Sequence, residues 1–148
     1  MDAYFVIGNQ NTRKSSVVRS LTGCFNRNVR DILPADGGPA LQVYARVGSL
    51  QESKTTAEDF VREVARKRCH AVLCGLWPTA NPLEPLAYPD AQAYLAHFRA
   101  AGWVIQRIAV LGQNAGGIRS PRLRQFPQAP TDPINRTAQQ VRQHFGWC

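Results

Sequence analysis

The sequence predicts an α/β fold, a single domain built on a mostly parallel open sheet of about five strands with helices on both faces. Strand-length apolar runs alternate with helical stripes in the order strand–helix–strand–strand–helix–strand–helix–strand–helix. The run Ala71–Trp77 is almost unbroken in its apolarity, as a strand covered on both faces must be. Proline falls between these segments rather than within them, and so does every glycine but Gly75. At 148 residues the chain can bury a substantial core as one domain, and 44% apolar against 19% charged residues is a globular composition.

The first strand is Tyr4-Phe5-Val6-Ile7, turned at Gly8. A helix follows from about Lys14 to Leu21 or Cys24, with Val17, Val18, Leu21, Cys24 and Phe25 on one stripe and Gly23 as an early stop. Val29–Leu33 is a short second strand ended by the cluster Pro34-Ala35-Asp36-Gly37-Gly38-Pro39. If the two strands were parallel, that turn would lie near Gly8. Leu41–Val47 alternates, with Leu41, Val43, Ala45 and Val47 on one face and Gln42, Tyr44 and Arg46 on a less buried one. Thr55 and Glu58 form a capping box opening a helix through Phe60, Val61 and Val64, which Arg66-Lys67-Arg68 closes where positive charge suits the dipole. After Ala71–Trp77, the proline-rich segment Pro78–Pro89 is a loop at a strand's carboxyl end, where open α/β sheets place ligands. A helix from about Asp90 carries Ala91, Tyr94, Leu95 and Phe98 and stops at Gly102, and Val104–Leu111 is the fifth strand. Gly112–Pro130, with Arg119, Arg122 and Arg124 among glycines and prolines, reads as a flexible basic loop. Asp132 and Pro133 then open a last helix that Gly146 ends.

The chemistry concentrates between the first strand and first helix, in Gly8-Asn9-Gln10-Asn11-Thr12-Arg13-Lys14-Ser15-Ser16. Free N–H groups at a helix N-terminus favour an anion, a lysine adds a mobile positive charge, and a following hydroxyl can ligate Mg²⁺. This stretch resembles the Walker A motif of P-loop NTPases, G-x-x-x-x-G-K-[ST]. Gly8, Lys14 and Ser15 fall on the motif, and Arg13 replaces its second glycine. The resemblance implies a P-loop NTPase-like fold that binds ATP or GTP with Mg²⁺. Lys14 would act catalytically on the phosphates, Ser15 would ligate the metal, and the backbone from Asn9 to Ser16 would complete the cradle. Arg13 either obstructs the loop with its Cβ or adds a phosphate contact of its own.

Further motifs are missing. No Asn-Lys-x-Asp reads guanine, and Asp36-Gly37-Gly38 is not the Asp-x-x-Gly of a GTPase switch. No acid follows the apolar strands directly, so Glu52 is the substitute catalytic carboxylate and Asp36 the substitute metal ligand. Arg119, Arg122 and Arg124 are candidates for a lid over the nucleotide, or for a finger reaching a neighbouring subunit of a homo-oligomer. The reading is a small nucleotide-binding protein that hydrolyses slowly. Its alternatives are a small-molecule kinase and a non-catalytic P-loop module working through protein or nucleic-acid partners, as accessory proteins of plasmid maintenance or conjugation do.

Fifteen arginines and three lysines against ten acids give a net charge of +8, which favours anionic partners. Cys24, Cys69, Cys74 and Cys148 show no CxxC spacing, and His70, His97 and His144 share no ligand spacing, so no metal beyond Mg²⁺ is expected. No apolar run reaches membrane-spanning length, and the expected location is the cytoplasm, with no membrane partner.

Overall fold

The computed structural model describes residues 1–148 as one mixed α/β unit. In chain order its elements are β1 (Asp2–Ile7), α1 (Lys14–Thr22), β2 (Arg27–Ile32), β3 (Leu41–Ser49), α2 (Ala57–Ala65), β4 (Ala71–Leu76), α3 (Ala91–Ala100), β5 (Val104–Leu111), β6 (Leu123–Phe126) and α4 (Ile134–Phe145). The six strands form one sheet in the order β2-β3-β4-β1-β5-β6. All neighbours are parallel except β2 and β3, which form an antiparallel hairpin.

Strand alternation divides the core in two. Tyr4 and Val6 of β1 face α1 and α4, meeting Val17, Val18 and Leu21 of the first and Ala138, Val141 and Phe145 of the second. Ala3, Phe5 and Ile7 face α2 and α3, where Phe98 stacks between Phe5 and Trp103 with ring centroids 5.7 and 4.4 Å away. Every residue of β4 is buried, as its continuous apolarity requires. No helix is long and apolar enough to cross a membrane.

Several expectations shift. The segment 112–130 is not one long loop, because Leu123–Phe126 pairs with β5 and widens the sheet to six strands. Both faces of β3 are buried from Val43 to Val47, while Gln42 stays exposed. Tyr44 donates to Glu63 Oε2 at 2.6 Å, and Arg46 donates to Glu63 Oε1 at 3.1 Å, Ser53 Oγ at 3.1 Å and Thr55 Oγ1 at 2.7 Å. With Thr55 so engaged, Thr56 caps α2 instead, accepting from the Asp59 N–H. Gly23 and Gly146 end α1 and α4 in the left-handed region, and Asp90 caps α3 through the Ala93 N–H.

The topology sets where a ligand could lie. The chain leaves β1 toward the α1/α4 layer and leaves β4, its neighbour, toward the α2/α3 layer. A crevice therefore opens between the carboxyl ends of these strands, the position at which open α/β sheets bind ligands.

Candidate functional site

The segment Gly8–Ser16 occupies that crevice. The Gly8 N–H donates to the Leu76 carbonyl at the end of β4, at 3.1 Å. The loop then folds on itself, since the Asn9 carbonyl accepts both the Thr12 N–H at 3.2 Å and the Thr12 hydroxyl at 2.7 Å. A Cβ at residue 8 would collide with that hydroxyl and crowd the Leu111 carbonyl, so the close turn requires glycine.

Arg13 takes φ 64°, ψ 27°, the left-handed conformation that glycine adopts freely. Its guanidinium points away from the crevice and donates to the Asp132 carbonyl at 2.7 Å, at the start of α4. The backbone thus follows a glycine-like path while the side chain ties the loop to another element. Arg13 lines neither of the cavities that flank the loop.

No side chain caps α1 and no acid lies in its first turn, which leaves the leading N–H groups of the helix free of an internal acceptor. Lys14 is only 5% exposed, and its methylene stem lies over Gly75 of β4, where a Cβ would stand 3.4 Å from Cδ and Cε. Burial pulls its ammonium down from 10.5 to about 8, with the Glu52 carboxylate opposing the shift. No other carboxylate offsets the cost of that buried charge.

Ser15 and Glu52 line one cavity of about 280 Å³, together with Arg19, Asn26, Ser49 and the exposed Phe25. On the other side of the loop, Asn9, Gln10 and Asn11 face Trp77, Thr79 and Pro82 across a second cavity of about 300 Å³. No protein-family model, curated protein or solved structure matches the chain.

Asp36 is not at this site. Because β2 runs antiparallel to β3, the turn after β2 lies at the amino end of the sheet, roughly 25 Å from the loop along β3. There the Asp36 carboxylate accepts from the Gly38 N–H at 2.8 Å, and the Ala35 N–H donates to the Gly146 carbonyl beyond α4. The three loop arginines do not converge on the loop either. Arg119 borders a cavity beside α3 with Gln92 and Arg99, Arg122 donates to the Gln106 carbonyl near the start of β5, and Arg124 lies over the Phe126 ring at 5.1 Å. Parallel pairing of β6 with β5 sets Arg122 at the start of the edge strand, level with the middle of β1.

Two residues passed over in the sequence belong to the site. Ser49 ends β3 fully buried, with an Oγ that finds no partner. Gln51 has no exposed surface, and its amide clamps the crevice: Nε2 donates to the Trp77 carbonyl at 2.9 Å and the Pro89 carbonyl at 3.1 Å, while Oε1 accepts from the Trp77 N–H at 2.9 Å. A search confined to acids at strand ends misses both. Polar residues closing a parallel strand were the available signal.

As for a metal, nowhere do three or more His, Cys, Asp or Glu side chains gather into a ligand set. Mg²⁺ commonly takes one or two protein ligands alongside phosphate oxygens and water, and Ser15 with Glu52 matches that sparse donor set. A separate cavity of about 410 Å³ lies between α2 and the β2 edge, but its acids are already engaged: Glu63 with Arg27, Arg46 and Tyr44, and Asp59 with Arg62.

Proposed function

We propose that the protein binds the phosphates of a nucleotide, ATP or GTP with Mg²⁺, in the loop Gly8–Ser16, and hydrolyses it slowly. The observation that carries this reading is Lys14, a buried ammonium at the mouth of an uncapped helix with only a distant carboxylate to offset it. A bound phosphate would answer both the ammonium and the free N–H groups. The glycine-like backbone of Arg13 and the outward course of its side chain support the reading by leaving the cradle clear. Ser15 and Glu52, on one cavity, are the residues suited to hold Mg²⁺, which would supply charge neutralisation at the phosphates. Glu52 is exposed and makes no hydrogen bond that would fix it, which is why slow turnover is part of the proposal.

A non-catalytic module acting through a protein partner is favoured by a different feature. Leu83 and Leu86, in the loop after β4, are 84% and 98% exposed beside the crevice.

Thermal unfolding with ATP, GTP or neither, each with and without Mg²⁺, tests the first reading. Nucleotide at a hundred times its dissociation constant adds about 2.7 kcal/mol, a rise of roughly 5–10 °C at this size. The shift is expected in the natural protein and absent in Lys14→Ala. Absence of any shift, or its survival in Lys14→Ala, overturns nucleotide binding at this loop. A normal shift with no turnover, unchanged by Glu52→Gln, favours the module.

A further inference from the structure

The basic residues are unevenly distributed. Helix α2 holds three acids, Glu58, Asp59 and Glu63, whereas α1, α4 and β6 contain none. None of the chain's ion pairs involves a residue of α1, α4 or β6. Yet these elements and the turn before β6 carry Arg19, Arg122, Arg124, Arg136 and Arg142, all but the last exposed.

All but Arg19 form one surface. Helices α1 and α4 lie side by side, joined by the Ser20 hydroxyl donating to Asn135 Oδ1 at 3.2 Å and by Arg142 donating to the Ser20 carbonyl at 2.9 Å. The start of β6 abuts the end of α4, where His144 Nε2 meets the carbonyls of Ile108 and Arg122 at 3.0 and 3.1 Å. Arg124 shares the strand face of Phe126, which belongs to the core beneath α1 and α4. Arg19 turns elsewhere, its Nε donating to the Phe25 carbonyl at 3.1 Å beside the cavity that Glu52 lines, so three exposed guanidiniums, Arg122, Arg124 and Arg136, share a face whose own elements hold no carboxylate, which costs self-repulsion in the free protein.

We infer that this face binds the phosphate backbone of a nucleic-acid duplex. The residues between the arginines decide for nucleic acid over an acidic protein. Ser16, Asn135, Gln139 and Gln143 are exposed there, and Arg with Ser, Asn and Gln is the usual complement for phosphate contacts. Phe25 stands beside Arg19 rather than on α4 or β6, and Leu83 and Leu86 follow β4, so the face formed by α4 and β6 lacks the aromatic or aliphatic anchors of a protein interface. It also lacks an exposed aromatic platform for unpaired bases, which favours a duplex over a single strand. This surface does not depend on what the phosphate loop holds.

The test is fluorescence anisotropy of a labelled 20-base-pair DNA duplex between 50 and 200 mM salt, on the natural protein and variants. Contacts from three arginines weaken binding roughly 40-fold across that range, and each one removed lowers the salt slope by about one. Arg136 makes no intramolecular side-chain bond, so Arg136→Gln is the primary variant, with Arg124→Gln as the second. Both are expected to weaken duplex binding, while Arg66→Gln beside α2 leaves it unchanged. Lys14→Ala is expected to bind the duplex normally even where it fails to bind nucleotide, so the two readings fail separately. The proposal is overturned if both arginine variants bind as the natural protein does, if Arg66→Gln weakens binding equally, if a single strand binds more tightly than the duplex, or if polyglutamate competes as well as DNA.

Discussion

Arg13 holds a backbone conformation that costs an ordinary side chain about 1–2 kcal/mol, and the carbonyl of Asp132 helps to keep it there. Arg13→Gly relieves that strain but loses the guanidinium bond and adds freedom to the unfolded chain, so its stability is expected to stay within about 1 kcal/mol of the natural protein. Arg13→Ala keeps the strain and loses the bond, and urea unfolding should find it about 1 kcal/mol less stable. The reverse order would mean that the left-handed turn is not what residue 13 supplies. Lys14 makes a prediction about pH. Its folded value of about 8 lies below its ordinary 10.5, so between these values the unfolded chain binds a proton that the folded chain has released. Stability from this group therefore rises with pH across that window, its penalty being complete below it. Burial raises Tyr44 and Cys74 and drives the opposite trend at the alkaline end, so the curve of Lys14→Met should be subtracted from that of the natural protein. The difference is expected to climb from pH 8 to 10, and a flat difference would show that Lys14 titrates normally.

At the level of elements, Gln51 links the end of β3 to the segment after β4. Gln51→Ala strips partners from the buried Trp77 N–H and carbonyl and from the Pro89 carbonyl, and is expected to cost roughly 3 kcal/mol in denaturant unfolding. A loss below 1 kcal/mol would mean that water replaces the amide. This clamp was invisible in the sequence because its partners are backbone atoms 26 and 38 residues away. What could be read locally was read well: β4 from its unbroken apolarity, α1 from its stripe and Gly23, and α3 from Asp90. The misread features depend on pairing. Four residues, Leu123–Phe126, are too few for alternation to show, and only β5 makes them a strand. Asp36 looked close to the loop only while β2 was taken as parallel to β1, since strand direction is not written in a strand's own residues. Glu52, a few residues past the end of β3, shares a cavity with Ser15.

Across the whole molecule, the α1/α4 layer is closed by the last residues of the chain. Tyr4 packs against Phe145 and Trp147 with centroids 5.2 and 4.9 Å apart, and the Cys148 N–H donates to the Leu33 carbonyl at 2.7 Å. Removing residues 133–148 bares one side of β1 and the inner stripe of α1. The shortened chain is expected to lose its cooperative melt in circular dichroism, and a retained sharp transition would mean that α4 is an accessory to the core. The central place of β1 matters in another way. This strand is the first to be synthesised, yet its two neighbours are β4 and β5, about 70 and 100 residues later. A chain emerging from the ribosome at about 5–20 residues per second carries the loop Gly8–Ser16 unpaired for several seconds before Leu111 can appear. That loop is thus made early and fixed late. During that interval the exposed run Tyr4–Ile7 has no sheet to join, so slower elongation before residue 111 would prolong the time in which this chain is most open to misassociation.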